Sequence, residues 1–405
     1  MKRKTFLMAS LAASITLALS APQAMAKGKY GPGVTDTEIK IGNTVPYSGP
    51  ASAYGTIGKA MAAYFETVNA AGGVNGRKIN FVSLDDGYSP PKTVEQTRKL
   101  VEQEKVLLIF AGLGTPTQSA VHKYMNAKKV PQLFVQTGAT KWGDPKHNHW
   151  TMGWQPNYQA EGKIYASRIL EESPNAKIAV LYQNDDYGKD YLKGLEDGLG
   201  SKKSMIVAKA SYETTDPTLD NQMASLKASG ADVFFNVTTP KFAAQAIKKA
   251  AEMGWKPTHY INSVSSSAGS VMIPAGAENG VGVISTAYLM DPTDPQWATN
   301  PGFMEYKAWL EKAMPGANIK DNLLITGYAH ARTMVQVLKQ AGDNLTRENV
   351  MKEAANLKNF DVGVLIPGIT VNTSPTDYYP VENKQMMRWN GKSWELFGKV
   401  YGPKQ

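Results

Sequence analysis

Short apolar runs alternate with longer amphipathic stretches along most of the chain. The run EIKIGNTV (38–45) predicts a strand, and the stretch after it predicts a helix that ends at Gly72 and Gly73. Apolar side chains recur there at helical spacing, at Ile57, Met61, Tyr64, Phe65 and Val68. Strand and helix patterns then alternate at 77–86, 92–103, 106–112, 117–129 and 131–136. This βαβαβα order predicts a parallel sheet with helices on both faces.

The same rhythm restarts after residue 157. Helical patterns alternate again with apolar strand patterns, at 161–172, 177–183, 188–200, 204–212, 219–230, 231–237, 240–254 and 258–262. Because the period is long and irregular, the two halves indicate two α/β lobes of one architecture rather than a solenoid.

The remaining chain has a different pattern. A strand pattern at 280–289 is followed by three helical patterns, the last beginning at Thr346 as an N-cap, and by a hairpin signal at Asn390-Gly391. We expect the helices to pack on the first lobe, so that the chain crosses between lobes three times and forms a hinge beside a cleft. The predicted crossings are near 150–154, 283–286 and 365–371. The predicted lobes are therefore 37–153 plus 287–364, and 154–286 plus 365–405.

The first 26 residues predict a secretory signal peptide. Lys2, Arg3 and Lys4 precede a short apolar stretch, and Ala24-Met25-Ala26 is a small-x-small cleavage site. An uncleaved N-terminal anchor is the alternative. No later stretch reaches 18 consecutive apolar residues, so we expect a soluble mature protein in the periplasm.

Cysteine and charge narrow the class further. The chain has no cysteine, which excludes disulfides and also a lipid anchor on a cysteine after the cleavage site. The net charge is +9, but no run of five like charges occurs, so the sequence gives little support for nucleic-acid binding.

The glycine-rich turn in FAGLGTPTQSA (110–120) is similar to a phosphate-binding turn, because it lies between a predicted strand and a predicted helix. It lacks the lysine of a P-loop and the third glycine of a dinucleotide fingerprint. His147 and His149 lie beside Asp144 in a polar loop, and the acid pairs 85–86 and 185–186 follow strands, where solvated or capping roles are common. We therefore predict no enzyme activity, no cofactor and no metal site.

Five segments together resemble a known family. They are IKIGNTVPYSGPASAYG, NAAGGVNGRKINFVSLDD, GTPTQSA, VPQLFVQTGAT and NDDYGKDYLKG, in this order. The chain from about Ile39 to Phe397 resembles the leucine/isoleucine/valine-binding type of periplasmic solute-binding protein, which serves ABC importers. The resemblance implies a type I periplasmic-binding fold of two doubly wound parallel-sheet lobes joined by a three-stranded hinge. It also implies a monomer that closes on its ligand and docks on a membrane permease.

The resemblance implies ligand-binding residues in both lobes. In the first lobe, two turns are expected to hold a ligand carboxylate, through Gly114, Thr115, Thr117, Gly138, Ala139 and Thr140. Tyr54 is expected to line the cleft. Unpaired amides at a helix N-terminus and nearby hydroxyls suit an anion. Thr115 is equally typical of a plain N-cap, and Tyr54 of a core tyrosine. In the second lobe the matching residues are Tyr187, Thr239 and Ser263.

The sequence departs from the family after Ile261. Amino-acid binders of the family usually place an acid there to pair with the ligand ammonium, but here no acid occurs before Glu278. A buried ammonium without a carboxylate is poorly compensated, so a carboxylate ligand with an aromatic or other hydrophobic body fits better. Three alternatives remain: a branched-chain amino acid ligand, a charge supplied by Asp185 or Asp186, and a ligand-sensing subunit without a transport role.

Overall fold

The structure is a computed structural model that describes residues 28–402, and its first lobe is built on a five-stranded parallel sheet. The predicted signal peptide lies outside the described residues. The short β1 (Lys29–Tyr30) stands apart from this sheet. The sheet has the spatial order β3-β2-β4-β5-β6. Its strands are β2 (Glu38–Val45), β3 (Lys78–Asp85), β4 (Ile109–Phe110), β5 (Gln132–Val135) and β6 (Thr151–Gly153).

Three helices connect these strands and cover the sheet, as the alternating pattern predicts. They are α1 (Gly55–Ala70), α2 (Pro90–Arg98) and α3 (Thr115–Ala127). The apolar run at 106–112 forms only the two-residue β4, although its members are buried. The strand β6 has no counterpart among the sequence predictions, because three residues are too few to show a period.

The second lobe has the same architecture. Its helices are α4 (Tyr158–Glu172), α5 (Asp186–Leu199), α6 (Asp220–Ala228) and α7 (Pro240–Glu252). Its parallel strands are β7 (Ile178–Gln183), β8 (Ile206–Tyr212), β9 (Val233–Val237), β10 (Thr258–Ile261) and β11 (Ile284–Ala287). The predicted fold class, two α/β lobes with parallel sheets, is confirmed.

The tail contributes helices to the first lobe and strands to the second. In chain order the elements are α8 (Pro301–Ala313), α9 (Asn322–Ala341), β12 (Asn344–Leu345), which pairs with β1, α10 (Arg347–Ala354), β13 (Lys384–Trp389) and β14 (Trp394–Tyr401). The helix α9 lies so close to α1 that a Cβ on Gly327 would be 2.5 Å from the Ile57 carbonyl. The predicted N-cap Thr346 accepts a hydrogen bond from the Asn349 amide.

The predicted hairpin is formed by β13 and β14, which extend the second sheet to the order β14-β13-β11-β10-β9-β7-β8. Its loop has four residues rather than two. The Asn390 side chain accepts hydrogen bonds from the amides of Lys392 and Ser393, at 2.8 and 2.9 Å, so asparagine holds the loop as an Asx turn.

Three segments cross between the lobes, after β6, after β11 and between α10 and β13. Backbone hydrogen bonds tie them together. The Met290 amide donates to Val364, and the Val381 amide donates to Trp154, at 2.9 and 3.2 Å. The carboxyl ends of the parallel strands in both lobes face the cleft beside this hinge.

Candidate functional site

The cleft contains a cavity of about 80 Å³. Its walls are mainly the loops that follow strands β2, β3, β4 and β5 in one lobe and β7, β9, β10 and β11 in the other. Open α/β sheets bind ligands at such strand ends. The lining includes Tyr54, Tyr88, Gly114, Thr115, Gln136, Gln155, Tyr158, Tyr187, Thr239, Ser263, Tyr288 and Asp291.

The N-terminus of α3 forms part of the first-lobe wall. Gly114 precedes the helix with φ +100°, and a Cβ at this position would lie 2.5 Å from the Tyr88 ring. Glycine is therefore required both for the backbone conformation and for the close contact. Thr115 is the first helical residue and not the N-cap, and its hydroxyl lies 2.6 Å from that of Thr137. The first-turn amides of a helix lack intrahelical partners and favour an anion.

Tyrosines give the cavity its apolar surface. Burial raises the pKa of the hydroxyls of Tyr54, Tyr88, Tyr158, Tyr187 and Tyr288, which therefore stay neutral. The rings of Tyr158 and Tyr187 meet edge to face with centroids 5.5 Å apart. Such surfaces suit an aromatic or branched aliphatic group.

Two buried polar atoms of the lining have no hydrogen-bond partner within residues 28–402. They are the Tyr187 hydroxyl and Oε1 of Gln136. A buried polar group without a partner is costly, so each of these atoms is available to a bound molecule. Gln155, by contrast, donates to the Tyr158 hydroxyl at 3.0 Å.

Ser263 in the second-lobe wall is held by a buried ion pair. Its amide and its hydroxyl both donate to Glu161, at 2.7 Å each, and the Lys384 ammonium donates to its Oγ at 2.7 Å. Lys384 also pairs directly with Glu161. Burial opposes the charged form of Glu161, but the ammonium and the surrounding donors outweigh it and hold the pKa of this carboxyl below its usual value.

Asp291 is an acid in the cavity wall that sequence reasoning did not single out. It follows β11 and is 6 % exposed. Oδ1 accepts hydrogen bonds from the amide and hydroxyl of Thr293, whereas the one contact of Oδ2 within residues 28–402 is with Asn322 at 3.5 Å. Burial raises the pKa of Asp291 to about 6. This carboxyl can therefore change charge near neutral pH.

Six of the ten predicted ligand-binding residues line the cavity: Tyr54, Gly114, Thr115, Tyr187, Thr239 and Ser263. The Thr239 amide donates a hydrogen bond to the Tyr212 hydroxyl at 3.0 Å, which fixes the position of Thr239. Their roles as ligand contacts stay a prediction.

The other four predicted residues lie outside the lining, and each is engaged in a hydrogen bond elsewhere. Thr117 bonds back to the carbonyls of Leu113 and Gly114. The Gly138 carbonyl accepts from Tyr158, and Ala139 donates to Thr137. Thr140 donates from its amide and hydroxyl to Asp190 of the other lobe, at 2.7 and 2.8 Å.

Sequence reasoning missed several lining residues, among them Tyr88, Gln136, Gln155, Tyr158, Tyr288 and Asp291. Tyr88 and Gln136 follow strands that it had predicted, so the rule that ligands lie at strand ends could have found them. Tyr288 and Asp291 lie in a hinge crossing after β11, and the predicted strand pattern at 280–289 included the first of them.

Hydrogen bonds join the two lobes across the cleft. Tyr54 donates to the Val264 carbonyl at 3.1 Å, and Ser267 and Ser270 of the second lobe donate to Asp321 of the first lobe at 2.8 Å each. These bonds need the two lobes in contact, so we expect them to be lost if the lobes move apart.

Ser270→Ala is expected to weaken ligand binding about tenfold, because it removes one hydrogen bond to a carboxylate from the closed form. Ligand titration would measure this, and small-angle scattering would show a larger ligand-free radius of gyration. Ser229→Ala is the control, since that hydroxyl bonds within its own lobe to Leu226. Unchanged affinity in Ser270→Ala would contradict this role of the contact.

Sequence comparison identifies the family. A sequence model of the periplasmic binding protein family matches residues 38–393. The chain belongs to this family. Leu/Ile/Val-binding protein homolog 7 of Brucella abortus (strain 2308) is 26 % identical over 345 residues, which cover 80 % of this chain and 82 % of that protein. The family consists of extracytoplasmic solute-binding proteins that work with ABC transporters.

Solved structures show the same fold. A branched chain amino acid ABC transporter protein from Thermus thermophilus with bound valine has a TM-score of 0.81 at 16 % identity, covering 91 % of this chain and 97 % of that one. A solute-binding protein from R. palustris in complex with benzoate has a TM-score of 0.77 at 18 % identity, covering 90 % and 97 %. No helix within residues 28–402 is long and apolar enough to cross a membrane.

Proposed function

We propose that this protein binds a small organic acid with an aromatic or other hydrophobic body and delivers it to an ABC permease. In this proposal the chain is exported through residues 1–26, acts as a periplasmic monomer without a lipid anchor, and binds its ligand without transforming it. The observation that carries the proposal is the cavity itself, where the N-terminus of α3 and Thr115 face a lining rich in tyrosines.

The first-turn amides of α3 and the helix dipole favour a carboxylate at this end of the cavity. The tyrosine rings around the cavity favour an apolar body on the same ligand. The cavity has a volume of about 80 Å³, which suits a small acid better than a long acyl chain. The R. palustris relative of this fold is described in complex with benzoate.

A branched-chain amino acid is the second candidate, and Asp291 is the observation that favours it. A carboxylate in the cavity wall can pair with a ligand ammonium. The Thermus thermophilus relative of this fold is described with bound valine.

Calorimetric titration with benzoate, cinnamate, leucine and the neutral benzamide would test the proposal. We expect the two acids to bind and benzamide to bind at least tenfold more weakly. Tight binding of leucine without binding of the acids would favour the second candidate. Binding of none of the four would contradict both.

Thr115→Val should weaken acid binding about tenfold to a hundredfold, because it removes a hydroxyl donor from the carboxylate end of the cavity. Thr117→Val is the matched control in the same helical turn, since its hydroxyl is bonded to backbone carbonyls. Equal effects of the two substitutions on the dissociation constant would contradict the proposed carboxylate position.

A further inference from the structure

The turn after β10 contains no acidic residue of its own, but an acidic residue from another part of the chain packs against it. Glu161, from α4, lies directly behind this turn and accepts hydrogen bonds from the amide and hydroxyl of Ser263. Ser263 itself lines the cavity. The Glu161 carboxylate therefore lies one residue behind the cavity wall, at the turn where the family resemblance implies the partner of a ligand ammonium.

The Glu161 carboxylate is already saturated. Besides Ser263, it accepts hydrogen bonds from the hydroxyls of Tyr165 and Tyr191, each at 2.8 Å, and from Lys384. Glu161 is fully buried and the Lys384 side chain is 2 % exposed. Two carboxylate oxygens offer about four acceptor sites, so no capacity is left for a further cation.

Lys384 supplies the cation that pairs with Glu161 behind the cavity wall. Its Nζ contacts both Glu161 and the Oγ of Ser263, and it lies 5.6 Å from the ring centroid of Tyr288, which lines the cavity. The ion pair is neutral as a whole. A ligand ammonium at this wall would meet the Lys384 charge without an unpaired carboxylate to offset it.

We propose that Lys384 determines selectivity against amines, because its ammonium already pairs with the Glu161 carboxylate behind Ser263 and leaves no unpaired carboxylate at this wall for the ammonium of an amino acid ligand. This inference rests on the proposed function, since it explains why an acid without an amine is preferred. Lys384 acts through Ser263 and Glu161 and is a positioning residue, not a ligand contact.

The test compares two ligands that differ only in the α-ammonium, leucine and 4-methylpentanoate. The dissociation constants of both are measured by calorimetry for the wild type and for Lys384→Ala, which removes the cation and leaves room beside Glu161. We expect the ratio of the leucine constant to the 4-methylpentanoate constant to fall at least tenfold in Lys384→Ala. Lys384→Met keeps most of the side-chain volume and should lower the ratio less. It replaces Lys384→Ala in the test if that variant does not fold.

The double variant Glu161→Gln with Lys384→Ala lacks both charges and should return the ratio towards the wild-type value. Lys193→Ala is the control for loss of a lysine, since Lys193 is an exposed residue paired with Asp197. A ratio that is unchanged in both single Lys384 variants would overturn the inference. The proposed function is tested by the wild-type dissociation constants alone, and the inference by how their ratio changes in the Lys384 variants. A failure of one is therefore distinguishable from a failure of the other.

Discussion

Glu161→Gln is expected to lower the free energy of unfolding by about 3–5 kcal/mol, because it leaves the Lys384 ammonium buried without a counter-ion. The Lys384 side chain can avoid this cost only by losing its proton. Bringing a lysine with an ordinary pKa of about 10.4 to the neutral form at pH 7.5 costs about 4 kcal/mol, at 1.36 kcal/mol per pKa unit. Urea unfolding of the chain without residues 1–26 would measure the loss.

The pH dependence has a defined sign. Burial lowers the pKa of Lys384, whereas the Glu161 carboxylate raises it. In Glu161→Gln only the effect of burial remains. The folded variant then binds fewer protons than its unfolded chain, so its stability relative to the wild type should rise from pH 7 to pH 10. A flat difference across this range would contradict an unpaired ammonium.

A surface pair provides the matched control for Glu161→Gln. Asp197 and Lys193 form an ion pair of 2.7 Å whose side chains are 41 % and 59 % exposed. Asp197→Asn should cost less than about 1 kcal/mol, because both charges stay hydrated. If Glu161→Gln unfolds at the same urea concentration as Asp197→Asn, the buried pair does not stabilise the fold as described.

The fold was accessible from the sequence because its signals are local. The run at 38–45 forms a strand over that whole range, and the helical spacing from Ile57 to Val68 lies within α1. The hairpin at Asn390 and the N-cap at Thr346 were likewise evident from single residues in their context. Each of these features depends on neighbours within a few positions along the chain.

The site was accessible only in part, since its remaining features depend on distant residues. The carboxylate behind Ser263 comes from position 161 and its counter-ion from position 384. The residues after Ile261 therefore could not reveal that a carboxylate lies at this turn. Thr140 illustrates the converse. Its turn follows β5 as expected, but its hydroxyl bonds to Asp190 across the hinge. Such pairings follow from tertiary packing and leave no periodic signal.

Asp291 is expected to make the affinity for an acid ligand depend on pH with a sign that distinguishes the two ligand classes. Its pKa of about 6 means that it is mostly protonated at pH 5.5 and mostly ionised at pH 7.5. An ionised Asp291 repels a carboxylate in the same cavity, so benzoate should bind about tenfold more weakly at pH 7.5 than at pH 5.5. An amino acid whose ammonium pairs with Asp291 should bind more tightly at pH 7.5.

Calorimetry at the two pH values would measure both slopes, and Asp291→Asn should remove either one. Asp86→Asn is the control: burial raises the pKa of Asp86 to about 6 as well, but Asp86 is bonded to Tyr88 and Thr93 and does not line the cavity. Its substitution should leave the slope in place. A slope that survives in Asp291→Asn would show that another group titrates, whereas benzoate binding that strengthens with pH would contradict the placement of the ligand anion in the same cavity as Asp291.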